Sequence, residues 1–392
     1  MGRDKVTIAV DLLDLQFAKT GQKTILEEYY KQFLIHQDPT IEFVFFSPRL
    51  PRFSRNTRIG IIGNHLVFQL WKQILLPLKT FFKRADILFC NDYFAPLLTP
   101  GFKNVQVFHD AFFFEYPQHY NQLWLKLFKT IALPAAKKSA FIITTSQYAK
   151  NKINAFVDIP LSKIVPIYPG PKSLSNKTEE RETFNAVKKS TEEEEDFTTH
   201  FKKIRAPYLL HVGVWEKRKN IPFLLRAFSQ FLNTSNLNYQ LVLAGAGNQR
   251  MFSDDTEAIE STIGELGLSK HVICTGYLSD EDLAKVYAGA SLYVFPSYNE
   301  GFGIPVLEAF SYQLPVLVAN NSCLPEVGGD AVLGFDPNDV HALATLMQQV
   351  LTDAALQEFL KEKGKKRLAY FSWEKASKEL IEVFKKAAHG NA

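Results

Sequence analysis

The stretch "SYNEGFGIPVLEAF", residues 297–310, sets two carboxylates, Glu300 and Glu308, eight positions apart around Gly301, Gly303 and Pro305. It follows the apolar run "SLYVF" and leads into a helical pattern, so it reads as strand, loop and helix. Pro305 suits the first helical turn, where its missing N–H costs nothing. The glycines let backbone approach a ligand closely, and the free N–H groups of a helix start favour an anion. Glu308 falls about one turn into the helix while Glu300 stays in the loop. One carboxylate can then accept hydrogen bonds from a nucleotide ribose and the other from a sugar. A glycine-rich loop with one capping carboxylate is the simpler alternative.

Two cations, Arg218 and Lys219 in "EKRKN", stand between the strand-like "YLLHV" and the amphipathic "NIPFLLRAFSQFL", with Asn220 at the N-cap position. Two positive charges beside a helix N-terminus favour an anionic group, whereas a solvated basic loop is the bland reading. His109 and Asp110 end the run "VQVFHD", where a histidine can contact a bound sugar, although a lone histidine is more often structural. "DED", Asp280 to Asp282, imitates a metal-binding D-x-D. Ser279 three residues before Asp282 reads instead as a capping box opening a helix, and no bound metal is expected.

These residues need elements to hold them. Alternating apolar runs and helical patterns supply two sets of six strands, "VTIAVDLL" to "IVPIYPG" in the first half and "YLLHV" to "AVLGFD" in the second. Each set predicts a doubly wound α/β domain, and ligands of such sheets bind at the carboxyl ends of the strands. At 392 residues and 46% hydrophobic the chain can bury two such cores. Between them lies "NKTEERETFNAVKKSTEEEEDFTTHFKK", too polar to offset the cost of ordering and read as an exposed insertion.

The three cysteines, Cys90, Cys274 and Cys323, lie far apart with no C-x-x-C pairing, so neither a disulfide framework nor a zinc site is expected and a reducing, cytoplasmic setting fits. No apolar run is long enough for a membrane span, and "MGRDKVTIAVDLLD" reads as a first strand rather than a signal peptide. Charge is unevenly placed: residues 1–150 hold 19 Lys and Arg against 11 Asp and Glu. Within that half, "VFQLWKQILLPLKTFFKR" puts Val67, Trp71, Ile74, Leu75, Leu78 and Phe82 at helical spacing beside Lys72, Lys79, Lys83 and Arg84. This is read as a core-facing helix interrupted near Pro77, with an anionic membrane surface as the alternative.

The element "EGFGIPVLE", followed by "AFSYQLPVLVANNSCLPEVGGDAVLGFDPND", resembles the donor-binding signature of family four retaining glycosyltransferases (glycosyl transferases group 1), which have the two-Rossmann GT-B fold. The resemblance extends over "LLHVGVWEKRKNIPFLLRAF", "LVLAGAG", "VICTGYLSDEDLAKVYAGASLYVFPS" and "FSWEKA". It is looser in the first half, through "KTGQKTILEEYYKQFL", "VFHDAFFFEYP" and "TTSQYAKNKI". It implies two Rossmann-like domains facing across a cleft: 1–172 for the acceptor, 205–371 for the donor, 173–204 an insertion, and 372–392 a helix returning toward the first domain.

By position, the resemblance implies that Arg218 and Lys219 hold the donor diphosphate, Glu300 the sugar hydroxyls and Glu308 the ribose, with backbone amides of Phe302 and Gly303 nearby. Gly213 lies in the first βα loop of the donor domain. Tyr277 lines the base pocket, with ordinary strand-end packing as its alternative. His109 contacts the transferred sugar, and Gly21 and Gln22 approach the diphosphate or acceptor. Asp110 and Ser146 lie on the acceptor side, Ser146 being equally suited to cap a helix. The sequence departs from the family where "YQLPV" carries Gln313 and Leu314 in place of a small-Gly pair. It departs again where Val214 and Trp215 replace the arginine of a "GRL" pattern, leaving diphosphate charge to Arg218 and Lys219.

The implied reaction moves a hexose or deoxyhexose, mannose first, from a nucleoside diphosphate sugar to a glycan or lipid-linked acceptor hydroxyl with retention. The setting is cell-surface polysaccharide or lipopolysaccharide synthesis. No cofactor or metal is implied, nucleic acid is not expected as a partner, and peripheral contact with the inner face of the membrane fits the basic first half. A non-hydrolysing sugar-nucleotide epimerase, or a non-catalytic nucleotide-sugar-binding assembly partner, are the competing readings.

Overall fold

The computed structural model of the chain describes residues 5–18, 21–51, 53–54, 57–172, 174, 204, 207–247 and 253–390. The acidic insertion read at 173–204 lies almost wholly outside them. Two compact units result, one of residues 1–170 with 371–392 and the other of residues 171–370.

In the first unit β1 (Val6–Asp11), β2 (Ile41–Phe46), β3 (Ile87–Cys90), β4 (Lys103–Val107), β5 (Phe141–Thr144) and β6 (Ile164–Pro166) form one sheet. Its order is β2-β1-β3-β4-β5-β6, and every pairing is parallel. Parallel strands must be joined by crossovers that cover both faces, which is why β3 and β5 are buried at every position. The terminal helix Trp373–Ala388 belongs to this unit: Trp373 packs edge-on to Tyr29 with ring centroids 5.6 Å apart, and Lys103 Nζ donates to Ala387 O at 2.8 Å. Ser372 caps it by accepting the Lys375 N–H.

The second unit repeats the plan with β7 (Tyr208–Val212), β8 (Gln240–Ala244), β9 (Val272–Gly276), β10 (Leu292–Phe295), β11 (Val316–Ala319) and β12 (Leu333–Phe335). Here the order is β12-β11-β10-β7-β8-β9, again all parallel. The twelve strands are those read from the sequence, and the two doubly wound sheets are the expected fold class. The amphipathic run after β7 is the helix Ile221–Thr234, whose Leu224, Leu225, Phe228 and Phe231 are buried.

The stripe over residues 67–84 departs from its core-facing reading. The helix does not break at Pro77: it runs from Arg58 to Phe82 through a π turn at Trp71–Leu75. Proline lacks the N–H for an i→i−4 bond and its ring crowds the preceding turn, and a wider turn just before it relieves both. The same device precedes Pro134, after the π turn Phe128–Ala132. Trp71 and Lys72 face inward, whereas Ile74, Leu75, Leu78 and Phe82 are exposed. No helix among the described residues is long and apolar enough to cross a membrane.

Candidate active site

In the second sheet β7 and β10 are neighbours although two strands intervene in sequence, so the order reverses there. Loops leaving the carboxyl ends of such a pair diverge and open a crevice, the usual ligand position of a doubly wound sheet. The β7 loop carries Gly213, Arg218 and Lys219, and the β10 loop carries Glu300 to Gly303. The Tyr298 N–H donates to Arg218 O at 2.8 Å and ties the two loops together.

This juxtaposition brings Glu300 against both cations. Lys219 Nζ donates to Glu300 Oε1 at 2.6 Å, and Arg218 Nη1 donates to Oε2 at 2.8 Å. Arg218 Nε in turn reaches Glu216 Oε2 at 2.7 Å. Lys219 and Glu300 are each 7% exposed, and the Lys219 ammonium also sits 4.9 Å from the centroid of the Phe295 ring. Burial alone would raise the Glu300 carboxyl, but Arg218 and Lys219 outweigh it and hold the group at about 2. Burial lowers the Lys219 ammonium from its usual range, with Glu300 acting against that shift.

Asn220 occupies the expected N-cap position without performing the expected cap. Its backbone is left-handed, φ 56°, and its amide donates to Pro337 O at 3.1 Å rather than serving the helix start. Asparagine tolerates this conformation, which closes the short turn Lys217–Lys219. Gly213 has ordinary room for a methyl group, with Lys219 Cε and His211 Nε2 both 3.5 Å from where a Cβ would stand. Gly245, following β8, does not: its φ is +141°, and a Cβ would lie 2.0 Å from Gly213 O.

Glu308 is buried in the helix Ile304–Ser311, with Pro305 in the first turn and Gly303 at φ 96° before it. Tyr287 donates to Glu308 Oε2 at 2.8 Å and stacks on Tyr312 at 5.4 Å. Among the described residues Glu308 Oε1 has no such donor. Burial raises its carboxyl to about 7, against the Tyr287 hydrogen bond. Two glutamates one loop apart thus differ in state: Glu300 is a locked anion and Glu308 is poised near neutrality. Cys323 Sγ lies 3.1 Å from the carbonyl oxygens of both Glu300 and Phe302, holding the loop from below. Tyr277 is 80% exposed rather than packed at its strand end.

The D-x-D imitation resolves as a cap. The Ser279 hydroxyl accepts the Asp282 N–H at 3.1 Å and donates to Asp282 Oδ2 at 2.6 Å, opening the helix Asp280–Gly289. Among the described residues no group of three or more His, Cys, Asp and Glu is arranged to hold a metal ion.

In the first unit the reversal falls between β1 and β3. Gln22 Nε2 donates to Asp14 Oδ2 at 3.0 Å, and Gln22 O accepts from Asn91 Nδ2 at 2.9 Å. His109 follows β4, and its Nε2 donates to Asn91 O at 2.8 Å, since a carbonyl only accepts; the neutral ring therefore keeps Nδ1 as an acceptor. Burial of the imidazole lowers its pKa to about 4. Gly21 begins the helix Gly21–Leu34, and among the described residues nothing lies within 4 Å of where its Cβ would stand. Asp110 Oδ1 accepts from Tyr93 OH at 2.9 Å and from the Phe112 N–H at 3.2 Å. Ser146 is fully buried, and its Oγ accepts the Ala149 N–H at 3.1 Å, the capping alternative of its two readings.

Sequence reasoning missed several members of these sites. Tyr287 lies in "AKVYAG", on the inner face of its helix. His211 lies inside the apolar strand "YLLHV", buried, with Nδ1 donating to Val294 O at 3.0 Å. Lys72, placed in the sequence only as a cation beside the stripe, is 1% exposed and sits 2.7 Å from Asp11 Oδ2 and 2.9 Å from Asp92 Oδ1. Burial raises Asp92 to about 8 against the pull of Lys72.

A sequence model described as glycosyl transferases group 1 matches residues 192–367, and one described as Glycosyltransferase Family 4 matches residues 27–171. The O-antigen chain mannosyltransferase B of Escherichia coli is 30% identical over 283 residues, 72% of this chain and 70% of that protein. The serotype-specific mannosyltransferase WbdA of Escherichia coli is 36% identical over 178 residues, 45% of this chain but 21% of that longer protein. Among solved structures, sucrose-phosphate synthase from Thermosynechococcus elongatus superposes with a TM-score of 0.70 at 19% identity, covering 97% of this chain and 99% of that one. Anabaena Alr3699/HepE, in complex with UDP and glucose, gives 0.67 at 15% identity, covering 97% and 100%. These structures share the GT-B fold. The chain belongs to the group 1 glycosyltransferases.

Proposed function

We propose that this chain transfers a hexosyl group, mannosyl as the first candidate, from a nucleoside diphosphate sugar to an acceptor hydroxyl with retention at the anomeric carbon. The observation that carries this reading is the cluster Lys219–Glu300–Arg218 at the switch point of the second sheet, one loop from Glu308. Mannose is favoured because O-antigen chain mannosyltransferase B and WbdA both carry that sugar in their names. The first of these also favours a growing glycan, as in O-antigen assembly, as the acceptor.

In this reading the donor diphosphate draws Arg218 and Lys219 onto itself. Both are held in place by Glu300 and Glu216 beforehand, so little reorganisation remains when charge develops on the leaving phosphate. Glu300, ionised at any working pH, cannot act as a general acid. Its oxygens instead accept hydrogen bonds from hydroxyls of the transferred sugar. Glu308 offers Oε1 to the ribose while Tyr287 holds Oε2, and exposed Tyr277 supplies a face for the base. Gly213 leaves room for the diphosphate, and the Phe302 and Gly303 amides lie beside it. His109, neutral and with Nδ1 as acceptor, contacts the sugar, while Gly21, Gln22 and Asp110 serve the acceptor side.

Glu300 is engaged by Lys219 and Arg218, and Glu308 by Tyr287 inside its helix, so neither is presented as the nucleophile of a double displacement like that of a retaining glycosidase. The acceptor therefore attacks from the face the leaving group departs, through an oxocarbenium-like state. Its proton passes to the departing phosphate oxygen. No metal enters the scheme. Thermal-shift titration against GDP-, UDP- and dTDP-sugars tests the donor: a ligand at 100 times its dissociation constant adds about 2.7 kcal/mol to the folded state. GDP-mannose is expected to give the largest shift. No shift with any nucleotide sugar contradicts the reading.

A further inference from the structure

We infer that the outer face of the helix Arg58–Phe82 is a docking surface for an anionic lipid bilayer. Ile62, Leu66, Leu70, Ile74, Leu78 and Phe82 recur at every fourth position along it, and all six are exposed. Leu66 is 65% exposed and Phe82 76%. A four-residue repeat drifts slowly around an α-helix of 3.6 residues per turn, and the wider π turn at Trp71–Leu75 takes back part of that drift. The result is an apolar stripe roughly 30 Å long at about 1.5 Å per residue.

The stripe cannot turn inward, because the opposite face is fixed. Trp71 Nε1 donates to Asp11 Oδ1 at 3.1 Å, and buried Lys72 lies between Asp11 and Asp92. Phe53 extends the apolar face at its start: its backbone N–H and C=O pair with the Asn64 side chain, both at 3.0 Å, and its ring lies against Gly63.

Charge names the occupant. Between Glu42 and Asp86 the sequence has eight Lys and Arg and not one Asp or Glu. Lys72 is spent inside, but Lys79, Lys83 and Arg84 are exposed beside the stripe. A second copy of the chain would bring two such cationic faces together. A nucleic acid would leave the large apolar side chains without a partner. An anionic bilayer satisfies both, taking the side chains among its acyl chains and the cations among its headgroups, with the helix lying in the interface plane. This surface stands independently of which sugar or acceptor the chain uses.

Flotation of the full chain with phosphatidylglycerol/phosphatidylethanolamine vesicles, against phosphatidylcholine alone, tests it. The wild type is expected to bind the anionic vesicles about tenfold or more better, and to lose that preference in high salt. Leu66→Ser/Leu70→Ser/Ile74→Ser should fall to the phosphatidylcholine level with Tm unchanged. Lys79→Glu/Lys83→Glu, which alters exposed cations alone, decides the matter if the serine variant unfolds: it should lose the anionic preference. Wild type that ignores anionic vesicles, a charge-reversed variant that binds as wild type, or a wild-type dimer that the serine variant converts to monomer overturns the proposal.

Discussion

Lys219 Nζ and Glu300 Oε1 lie 2.6 Å apart, 81 residues apart in sequence, both nearly buried at the reversal point of the second sheet. Neither loop could place its charge there alone, since an unpaired buried charge costs several kcal/mol. The pair therefore couples the shape of the site to its chemistry.

Removing one member leaves the other uncompensated. Glu300→Ala should cost about 3–5 kcal/mol of stability as well as activity, and is a poor probe of catalysis. Lys219→Met with Glu300→Gln removes both charges at similar volume and should regain most of that stability while transfer stays lost. Denaturant unfolding and transfer rate, measured on the same samples, separate the two effects. Transfer near wild type in the double variant would remove the pair from the reaction.

The glutamates should move stability in opposite directions with pH. Glu300 sits at about 2 against an ordinary value near 4.5, so its stabilisation is present above pH 4.5 and fades as pH falls toward 2. Glu308 sits at about 7, so the protein favours its protonated form, and that contribution is complete below 4.5 and lost as pH rises through 7. Glu308→Gln is then expected to be more stable than wild type at pH 8.5 by on the order of 2–3 kcal/mol, and nearly equal at pH 4.5. Donor affinity should still fall. A stability difference that does not change between the two pH values would show that Glu308 is ionised normally.

Gly213 and Gly245 make a controlled comparison. Gly245→Ala forces a Cβ to 2.0 Å from Gly213 O at φ +141°, and should destabilise by about 2–3 kcal/mol or more. Gly213→Ala meets only ordinary contacts at 3.5 Å, so its Tm should hold while the donor KM rises, if the diphosphate passes over that carbon. An unchanged KM would place the diphosphate elsewhere.

Gln313 adopts φ 54° in the turn after the helix Ile304–Ser311, where a side chain is unfavourable. Gln313→Gly is expected to stabilise by roughly 0.5–1 kcal/mol by denaturant unfolding. Glutamine here makes a left-handed turn that glycine makes more cheaply.

If Arg218 and Lys219 meet the charge of the leaving diphosphate, as proposed, chelation should leave transfer intact. Activity abolished by EDTA and restored by manganese would assign that charge to a metal.

All twelve strands were legible, since buried parallel strands are short apolar runs between helical patterns. The segments 213–220 and 300–308 were legible as candidates because charge and glycine there interrupt an otherwise apolar plan. The pairing of Glu300 with Lys219 was not, because it depends on which strands become neighbours, and β10 joins β7 across two intervening strands in sequence. Tyr287 and Lys72 were hidden for a related reason: each sits in a helix whose periodicity describes packing, and its partner lies on a distant element. The outward face of residues 62–82 runs against the core-facing expectation because amphipathic spacing says that one face is apolar, not which way it turns. That direction is set by Trp71 and Lys72 meeting Asp11, a contact 60 residues long in sequence for the tryptophan.

The most direct test is single-acceptor turnover with GDP-mannose and an O-antigen-type mannan acceptor, following GDP release and the anomeric configuration of the product by NMR. One GDP should be released per sugar transferred, the α-linked donor should give an α-linked product, and both should be lost in Lys219→Met/Glu300→Gln with the fold intact. An inverted linkage, donor converted to an epimer without acceptor, or equal turnover in that variant would contradict retaining transfer at this cluster.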